Sequence, residues 1–283
     1  MPLALILSSH VAGSRVGGLA QALVLGRLGI DPVTAPTVLF GRHPGWGPPG
    51  GAAVADDVFE GVIEGVAANG LLGLADVLIT GYFATPGQVE AAARAIDRAR
   101  GTVRGRAHTD RCLTVVDPIM GDDDGGLYVK PAVAEAIARE LVPRADWLTP
   151  NAWELARLSG RKVAYPADAA AAARSLGRPV LATSVPCGEG RIGLVLAQGD
   201  EAVLFSHPRL AEVPHGTGDL VTAVFAAGLV RGKAPREAAE HAARAAAETV
   251  RAAVDWASPE LPLVDLGDRL ANPAAEIAVE PLA

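Results

Sequence analysis

One stretch of this chain reads Pro214-His215-Gly216-Thr217-Gly218-Asp219-Leu220 and runs without a break into the apolar segment Val221–Val230. Within that segment the apolar residues recur at the spacing of one helix face, at Val221, Val224, Phe225 and Leu229. The stretch therefore predicts a helix over Asp219–Arg231 that begins at a glycine-rich turn.

Glycines at the start of a helix have a chemical consequence. Because they lack a side chain, their backbone N–H groups can approach an anion closely, and the free amides and dipole of the helix end favour negative charge there. A carboxylate at the same place competes with that anion unless it has its own task. Asp219 fits if it takes a proton from a substrate hydroxyl while the amides of Gly216–Gly218 hold a phosphoryl group in transfer. The alternative is that Asp219 only caps the helix.

Composition limits the class of protein. The chain has 283 residues, half of them hydrophobic, and a net charge of −7 without a basic run. This composition favours a large core and argues against a partner that is a nucleic acid or a membrane surface. Cys112 and Cys187 have neither metal-ligand spacing nor a disulfide framework. The apolar start Leu3–Leu7 lacks the basic segment of a signal peptide, and no apolar run reaches transmembrane length, so we expect a cytoplasmic protein.

Strand-like and helix-like segments alternate along the chain. The predicted strands are Leu3–Leu7, Val33–Val38, Val77–Thr80, Thr114–Val116, Trp147–Leu148 and Val180–Ala182, followed by an edge hairpin of Ile192–Ala197 and Ala202–Ser206. The predicted helices are Leu19–Leu28, Asp56–Asn69, Pro86–Ala99, Pro131–Glu140, Ala167–Leu176, Asp219–Arg231 and Pro235–Val254. This order predicts a mostly parallel sheet covered on both faces. Since no linker or repeat divides the chain, we expect a single α/β domain over residues 1–283, with a weakly patterned tail from residue 258.

Residues suited to chemistry cluster directly after predicted strands. They are Ser9, Tyr82, Asp117, Asn151 with Glu154, and Thr183 with Ser184. Ligands of open α/β sheets bind outside the carboxyl ends of the strands, so these residues are expected to share one site. Each also has a plainer explanation, since Asp117 can begin a turn and Asn151 can cap the helix that contains Glu154. The loop Phe40–Gly51 is rich in proline and glycine, and a loop of this length is usually functional.

The residue types indicate phosphoryl transfer. That reaction needs positioned reactants and neutralised phosphate charge, commonly through Mg²⁺, which keeps several waters and takes one or two carboxylates. Asp117 and Glu154, with Asn151, suit such a mostly water-mediated site. Two other nucleotide-binding patterns are excluded, because the chain has no Gly-x-x-x-x-Gly-Lys-Ser/Thr segment and no Gly-x-Gly-x-x-Gly after its first strand.

With these motifs in this order, the sequence resembles the pyridoxal kinase family of the ribokinase-like superfamily of small-molecule kinases. The resemblance rests first on Gly216-Thr217-Gly218-Asp219 with Asn151-x-x-Glu154 upstream. The other matching stretches are Ser8-Ser9-His10-Val11, Val16-Gly17, Pro36-Thr37-Val38, His43-Pro44-Gly45-Trp46-Gly47, Thr80-Gly81-Tyr82, Asp117–Asp122, Thr149-Pro150-Asn151 and Thr183-Ser184. The resemblance implies a three-layer α/β/α fold of the ribokinase-like kind.

The resemblance also implies an activity, which is the ATP-dependent phosphorylation of the hydroxymethyl group of pyridoxal, pyridoxine or pyridoxamine in vitamin B6 salvage. It implies that Asp219 is the base and contacts the substrate, and that Gly216, Thr217 and Gly218 form an anion hole that also binds ATP. The implied substrate pocket comprises Ser9, Val16, Phe40, His43 and Tyr82. The implied ATP site comprises Asp117, Asn151, Glu154, Thr183 and Ser184, with Asp117 and Glu154 at the metal. The implied cofactors and partners are ATP, Mg²⁺ and a second copy of the chain, and K⁺ is left open.

Two other functions stay open at this point. His215 before Gly-Thr-Gly is similar to the hydroxymethylpyrimidine phosphate kinases, which have cysteine where Asp219 stands. A vitamer-binding protein with weak turnover is the other alternative, although a binder has no need of the base Asp219. Gly13 and Gly18 stand where many family members carry larger residues, which predicts a looser mouth of the substrate pocket.

Overall fold

A strand buried on both faces lies at the centre of the molecule. Leu3–Val11 (β1) is buried at every position except His10, as expected where a strand has neighbours on both sides and helices on both faces. The structure is a computed structural model and describes residues 1–105, 107–188 and 190–282. The remaining strands are β2 (Asp31–Phe40), β3 (Gly51–Ala53), β4 (Val77–Thr80), β5 (Leu113–Val116), β6 (Gly121–Asp122), β7 (Gly126–Leu127), β8 (Trp147–Leu148), β9 (Val180–Pro186), β10 (Arg191–Gln198), β11 (Glu201–Pro208) and β12 (Ala278–Leu282).

The helices alternate with these strands. They are α1 (Gly17–Arg27), α2 (Asp56–Ala68), α3 (Pro86–Gly101), α4 (Pro131–Ala136), α5 (Ala152–Ser159), α6 (Pro166–Ser175), α7 (Thr217–Val230) and α8 (Pro235–Asp255). Four of them begin with proline, whose fixed φ and missing N–H suit the first helical position. Among the described residues, no helix is both long enough and apolar enough to cross a lipid bilayer.

One ten-stranded sheet includes strands from both ends of the chain, in the order β12-β11-β10-β9-β8-β5-β4-β1-β2-β3. The six strands from β2 to β9 in that order run parallel. The strands at the two margins, β3 on one side and β10, β11 and β12 on the other, pair antiparallel. The carboxyl ends of the six parallel strands therefore meet along one edge of the sheet.

Each face of the sheet has its own apolar core. Helices α2 to α6 cover one face, where the fully buried Phe59 and Phe83 meet edge to face at 6.4 Å between ring centroids. Helices α1, α7 and α8 cover the other face, where Trp147 packs edge to face on Phe225 at 5.0 Å. Small residues bring α7 and α8 close together, since a Cβ at Gly228 would lie 2.7 Å from the Cβ of Ala238. These three layers are the predicted α/β/α arrangement.

Most of the predicted elements are confirmed, and the differences are local. The strand β9 and the hairpin β10–β11 are longer than predicted, and the hairpin is not outermost, because the tail supplies β12 as a further strand. The acidic turn that the sequence predicts at Asp122–Gly126 forms the small hairpin β6–β7, and the loop after Phe40 contains a 3₁₀ turn, Pro44–Trp46, and β3. The predicted helix Pro131–Glu140 is α4 followed by a π turn, Ile137–Leu141. Helix α5 was anticipated only as the helix that Asn151 can cap.

The fully buried carboxylate of Asp76 anchors the edge of the sheet opposite the carboxyl ends. Its Oδ2 accepts a hydrogen bond from Leu3 N–H at 2.9 Å. Its Oδ1 accepts from the N–H groups of His108 and Thr109 at 2.7 and 2.8 Å, and Arg104 pairs with it at 3.2 Å. One side chain therefore holds the start of β1 against the loop that precedes β5.

We expect Asp76→Ala to lower the free energy of unfolding by about 3–5 kcal/mol, because it leaves buried N–H groups and a guanidinium without their acceptor. Urea unfolding measures the change. Asp255→Ala, at the exposed end of α8, is the matched control and should change stability by no more than about 0.5 kcal/mol. Equal effects of the two substitutions would contradict the anchoring role of Asp76.

Candidate active site

The carboxyl edge of the sheet brings the predicted site residues together. Ser9 lies near the end of β1, and Asp117 follows β5 directly, with its N–H donating to the carbonyl of Thr80 in β4 at 3.1 Å. Asn151 follows β8 and forms an isolated parallel bridge with Thr183 of β9. The strand topology thus places at one edge residues that are distant in sequence.

The start of α7 reaches the same edge, because β11 ends there and leads into it. The α7 entrance, defined here as residues 216–219, begins with Gly216 as N-cap at a φ of 102°. A Cβ at Gly216 would lie 2.4 Å from the carbonyl oxygen of Arg15, so only glycine fits. Asp219 is the third residue of α7 and directs its carboxylate to α1 instead. The alternative that Asp219 is the N-cap is therefore wrong.

Two donors hold the Asp219 carboxylate. Gly17 N–H, at the start of α1, donates to Oδ2 at 2.7 Å, and Gln21 Nε2 donates to Oδ1 at 3.3 Å. Burial raises the pKa of Asp219 to about 6, against the opposing effect of the Gly17 hydrogen bond. A carboxyl group with this pKa is ionised at neutral pH and still has appreciable proton affinity, which suits a general base.

Glu154 is fixed by the backbone on two sides. Helix α5 begins with a capping box, in which Asn151 Oδ1 accepts from Glu154 N–H and Glu154 Oε2 accepts from Asn151 N–H, both at 2.9 Å. Glu154 Oε1 accepts from Met120 N–H at 2.8 Å and from Gly121 N–H at 3.4 Å. Burial raises the pKa of Glu154 to about 8, although these hydrogen bonds oppose it. The capping explanation of Asn151 is confirmed, and the anchored carboxylate favours a water-mediated position at a metal over direct ligation.

Asp117 ends a chain of buried hydroxyl groups. Its Oδ2 accepts from Thr222 Oγ1 at 3.0 Å, and Thr222 Oγ1 lies 2.8 Å from Thr149 Oγ1. Burial, followed by the charges of Glu154 and Asp219, raises the pKa of Asp117 well above its usual range. The sequence analysis missed Thr222. In the sequence, Thr222 could have been found from its three-residue spacing from Asp219, which puts both side chains on one face of α7.

Tyr128 is a second residue that the sequence analysis missed. It follows the β6–β7 hairpin, and its N–H donates to the carbonyl of Met120 at 3.0 Å. Its side chain is half-exposed, and partial burial together with the charges of four carboxylates, those of Glu154, Asp117, Asp122 and Asp219, raises the pKa of its phenol. The hairpin therefore carries a phenol toward the acidic groups of the site. In the sequence, the alternating run Leu127-Tyr128-Val129 after the acidic turn could have indicated Tyr128.

The mutual repulsion of these carboxylates bears on whether a metal ion fits the site. Within the described ranges, no three His, Cys, Asp or Glu side chains are arranged to enclose a metal ion. A magnesium ion that keeps most of its waters and takes one carboxylate needs no such enclosure. The raised pKa of Asp117 comes in part from two neighbouring carboxylates, and a cation would offset that repulsion. The donor set therefore fits Mg²⁺ at Asp117, with Glu154 behind its waters.

The substrate loop, defined here as residues 40–51, folds back onto the α7 entrance. The ring of His43 stacks on that of His215, with 4.4 Å between centroids and 17° between planes. Phe40 ends β2 and is partly buried, and its carbonyl oxygen accepts a hydrogen bond from Ala12 N–H at 2.8 Å. The loop thereby joins the loop after β1 to the residue that precedes Gly216.

Three further residues of the implied substrate pocket lie along β1, α1 and β4. A Cβ at Gly17 would lie 2.0 Å from Ser9 Oγ, so the Ser9 hydroxyl is packed against the backbone that donates to Asp219. Val16 is buried and is the N-cap of α1. Tyr82 follows β4, the neighbour of β1, and partial burial raises the pKa of its phenol.

The glycines at the mouth of this pocket differ from the expectation. Gly13 N–H donates to the carbonyl of Gly41 at 2.9 Å, and a Cβ at Gly13 would lie 2.7 Å from that oxygen. A Cβ at Gly18 would lie 3.1 Å from the carbonyl oxygen of Ser9. The backbone therefore occupies the space that larger side chains would need, and the mouth is not loosened there.

Thr183 and Ser184 lie in β9 with different exposure. Thr183 is buried, and its N–H donates to the carbonyl of Pro150 at 2.8 Å. Ser184 is exposed at a φ of 54°, in the left-handed region that is costly for a residue other than glycine. Strained backbone that carries an exposed hydroxyl is typical of a functional position.

A groove of about 720 Å³ opens at the same edge, beside the loop that leads into α7. Its volume is in the range of cofactor pockets. Residues of four segments line it, among them Arg191, His207, Leu210, Ala247, Arg251 and Ile277. No sequence motif indicated it, because its walls come from β10, β11, α8 and the tail.

Comparisons with known proteins agree with this geometry. A family model described as phosphomethylpyrimidine kinase matches residues 93–263. A pyridoxine/pyridoxal/pyridoxamine kinase of Bordetella avium is 36% identical over 243 residues, which cover 83% of this chain and 80% of that protein. A pyridoxal kinase of Burkholderia mallei is 31% identical over 279 residues, 95% of each chain.

Solved structures agree as well. The pyridoxal kinase of Leishmania donovani in complex with ADP and pyridoxine is 27% identical, has a TM-score of 0.91 and covers 99% of both chains. The complex of the same enzyme with ADP and pyridoxamine has a TM-score of 0.90 at 26% identity over the full length of both chains. The matched strands and helices include the α7 entrance and the carboxyl edge described above. This chain belongs to the pyridoxal kinase family of the ribokinase-like superfamily.

Proposed function

We propose that this chain is an ATP-dependent kinase that transfers the γ-phosphoryl group to the hydroxymethyl group of pyridoxal, and also of pyridoxine and pyridoxamine, for vitamin B6 salvage. The observation that carries the proposal is the Asp219 carboxylate, which is buried beside the glycine amides of the α7 entrance with its pKa raised to about 6. The relatives and neighbours named above, whose names give pyridoxal-type vitamers as substrates or ligands, support it.

In the proposed reaction the hydroxymethyl oxygen attacks the γ-phosphorus of ATP and its proton passes to Asp219. The bond between the γ-phosphorus and the bridging β–γ oxygen breaks, and ADP leaves with that electron pair. Gly17 and Gln21 hold the carboxylate in position to receive the proton. The amides of Gly216, Thr217 and Gly218 hold the transferred group, since they lie at the free N-terminus of α7.

We assign the phosphate and metal side of the site to Asp117, Asn151, Glu154, Thr183 and Ser184. Bound Mg²⁺ would neutralise phosphate charge, and Asp117 would hold it while Glu154 orients its waters. Asn151 fixes Glu154 through the capping box, and its backbone pairs with Thr183 of β9, which Ser184 directly follows. The groove beside α8 is of a size and position that suit the nucleoside of ATP.

We assign the vitamer to the space between β1 and the substrate loop, lined by Ser9, Val16, Phe40, His43 and Tyr82. The polar members supply donors and acceptors for the heteroatoms of a pyridine ring, and the apolar members cover its faces. We also propose that the chain acts as one domain and as a homodimer in the cytoplasm, where ATP and Mg²⁺ are available. A role for K⁺ is tested by measuring pyridoxal phosphorylation with and without that ion.

The alternative acceptor is hydroxymethylpyrimidine. His215 before the α7 entrance and the description of the matching family model favour it. Asp219, in place of the cysteine of that group, favours pyridoxal. A binding protein without turnover is the weaker alternative, since it gives Asp219 no use.

We expect Asp219→Asn to lower kcat by about 10²–10⁴-fold while the fold and ATP binding are kept, because the amide accepts hydrogen bonds but cannot take the proton. In the unsubstituted enzyme kcat/KM should rise with pH through about 6 and then level, since only the ionised carboxylate is a base. Steady-state kinetics over pH measure both effects. A loss below threefold would remove Asp219 from this role, and thermal melting controls for the fold.

We expect Asp117→Asn to raise the Mg²⁺ concentration for half-maximal activity by about 10–100-fold, because the site loses a negative charge at the metal. Glu154→Gln should do the same and also lower the melting temperature, since its amide would face backbone N–H groups that now meet a carboxylate. Titration of activity with Mg²⁺ measures the effect, and KM for pyridoxal at saturating Mg²⁺ is the control. Unchanged titrations would leave both residues with structural tasks only.

We expect pyridoxal to be phosphorylated in preference to hydroxymethylpyrimidine, and both in preference to ribose or adenosine, when kcat/KM values are compared. Ser9 and His43 are polar groups that bound substrate would cover, so they must pair with its heteroatoms, and each one left unpaired costs about 1–3 kcal/mol. A competition assay with all four acceptors and limiting ATP measures the order. Preference for ribose or adenosine would contradict the proposal, and preference for hydroxymethylpyrimidine would favour the alternative.

A further inference from the structure

The stacked rings of His43 and His215 join the substrate loop to the residue directly before the α7 entrance. Their centroids are 4.4 Å apart and their planes are 17° from parallel. His215 directly precedes Gly216, and its Nε2 would lie 3.8 Å from a Cβ at Gly45. The ring of Trp46 also meets that of His43 in an edge-to-face arrangement, with 6.1 Å between centroids.

The other contact of His43 assigns its tautomer. His43 is the N-cap of the 3₁₀ turn Pro44–Trp46, and its Nδ1 accepts a hydrogen bond from Gly45 N–H at 3.1 Å. Since Nδ1 is the acceptor, the neutral ring carries its proton on Nε2. The ring therefore offers one fixed donor, Nε2–H. Protonation at Nδ1 would remove the cap of the turn.

Titratable groups of two other segments face this ring. Burial and then His215 lower the pKa of His43, and Glu260 of the tail raises it. Glu260 itself is held by Ser14 Oγ at 3.1 Å and by Arg15 N–H at 2.9 Å. Arg42, in the substrate loop, is directed away to the carbonyl of Pro48, to which its Nε donates at 2.8 Å.

We propose that His215 is a positioning residue for the vitamer, which acts by stacking on His43 and holding the Nε2–H donor of that ring in one orientation beside the α7 entrance. The proposal rests on the proposed function for its substrate. The stack links the loop that covers the vitamer to the residue before the anion hole. The imidazole of His215 thus acts through His43 and touches neither phosphate nor base.

The test compares His215→Ala with His215→Phe, which keeps a stacked ring and removes the titratable group. We expect His215→Ala to raise KM for pyridoxal by about two- to tenfold, the worth of one ring stack, while KM for ATP changes less than twofold. His215→Phe should keep KM for pyridoxal near that of the unsubstituted enzyme at neutral pH. His108→Ala, an exposed histidine at the opposite edge of the sheet, is the matched control and should change neither constant.

A second readout does not depend on turnover. Burial and His215 lower the pKa of His43, and both substitutions remove the imidazole of His215, so imidazole ¹⁵N NMR of the ligand-free protein should show that pKa raised in both variants. Without the stack the His43 ring can rotate away from the Gly45 N–H that fixes its tautomer, so mixed tautomers are expected in His215→Ala and one tautomer in His215→Phe. An unchanged His43 spectrum in His215→Ala, or equal increases in KM for pyridoxal and ATP, would overturn the positioning role. Absence of pyridoxal phosphorylation by the unsubstituted protein would instead contradict the proposed function, and the NMR result would still decide the role of His215.

Discussion

The hydrogen bond from Gly17 N–H to Asp219 Oδ2 joins the start of α1 to the start of α7, and the site depends on it. It links the first crossover of the chain to the last helix pair across about two hundred residues. A Cβ at Gly17 would meet Ser9 Oγ, and a Cβ at Gly216 would meet the carbonyl of Arg15, so both helix starts need glycine. The Asp219 carboxylate, the amides at the start of α7 and the Ser9 hydroxyl are therefore placed by the same close contact of backbones.

The three buried carboxylates of the site differ because their partners differ. Asp219 has one short backbone bond and one longer bond to an amide side chain, which leave it free to exchange a proton. Glu154 accepts three backbone N–H bonds, and its main effect is to fix α5 against the backbone at residues 120 and 121. Asp117 has a hydroxyl partner and two carboxylate neighbours, so it is the one whose surroundings call for a cation. Residue type alone does not distinguish these three roles.

The sequence allowed the meeting of Ser9, Asp117 and Asn151 at the carboxyl edge to be predicted, because each of them follows an apolar run of recognisable length. The interior of the site could not be predicted in the same way. The Thr149–Thr222–Asp117 chain depends on the register between α7 and two strands, which no local pattern reports. The stack of His43 on His215 depends on how two loops fold, and β12 depends on pairing with β11 across more than seventy residues. Short-range periodicity records none of these long-range contacts.

A residue such as Asn151 can cap a helix and also belong to the candidate site, and the electrostatics of the helix starts explain why. Helices α1, α5 and α7 all begin at the carboxyl edge of the sheet, where each presents N–H groups that have no partner within the helix. In a chain with a net charge of −7 and several buried carboxylates at this edge, those helix ends supply positive potential without adding a mobile cation. At the start of α5, the capping box neutralises that positive potential and thereby holds Glu154. The glycines of α7 leave it uncovered, and an uncovered helix end beside a base is what a transferring phosphoryl group requires.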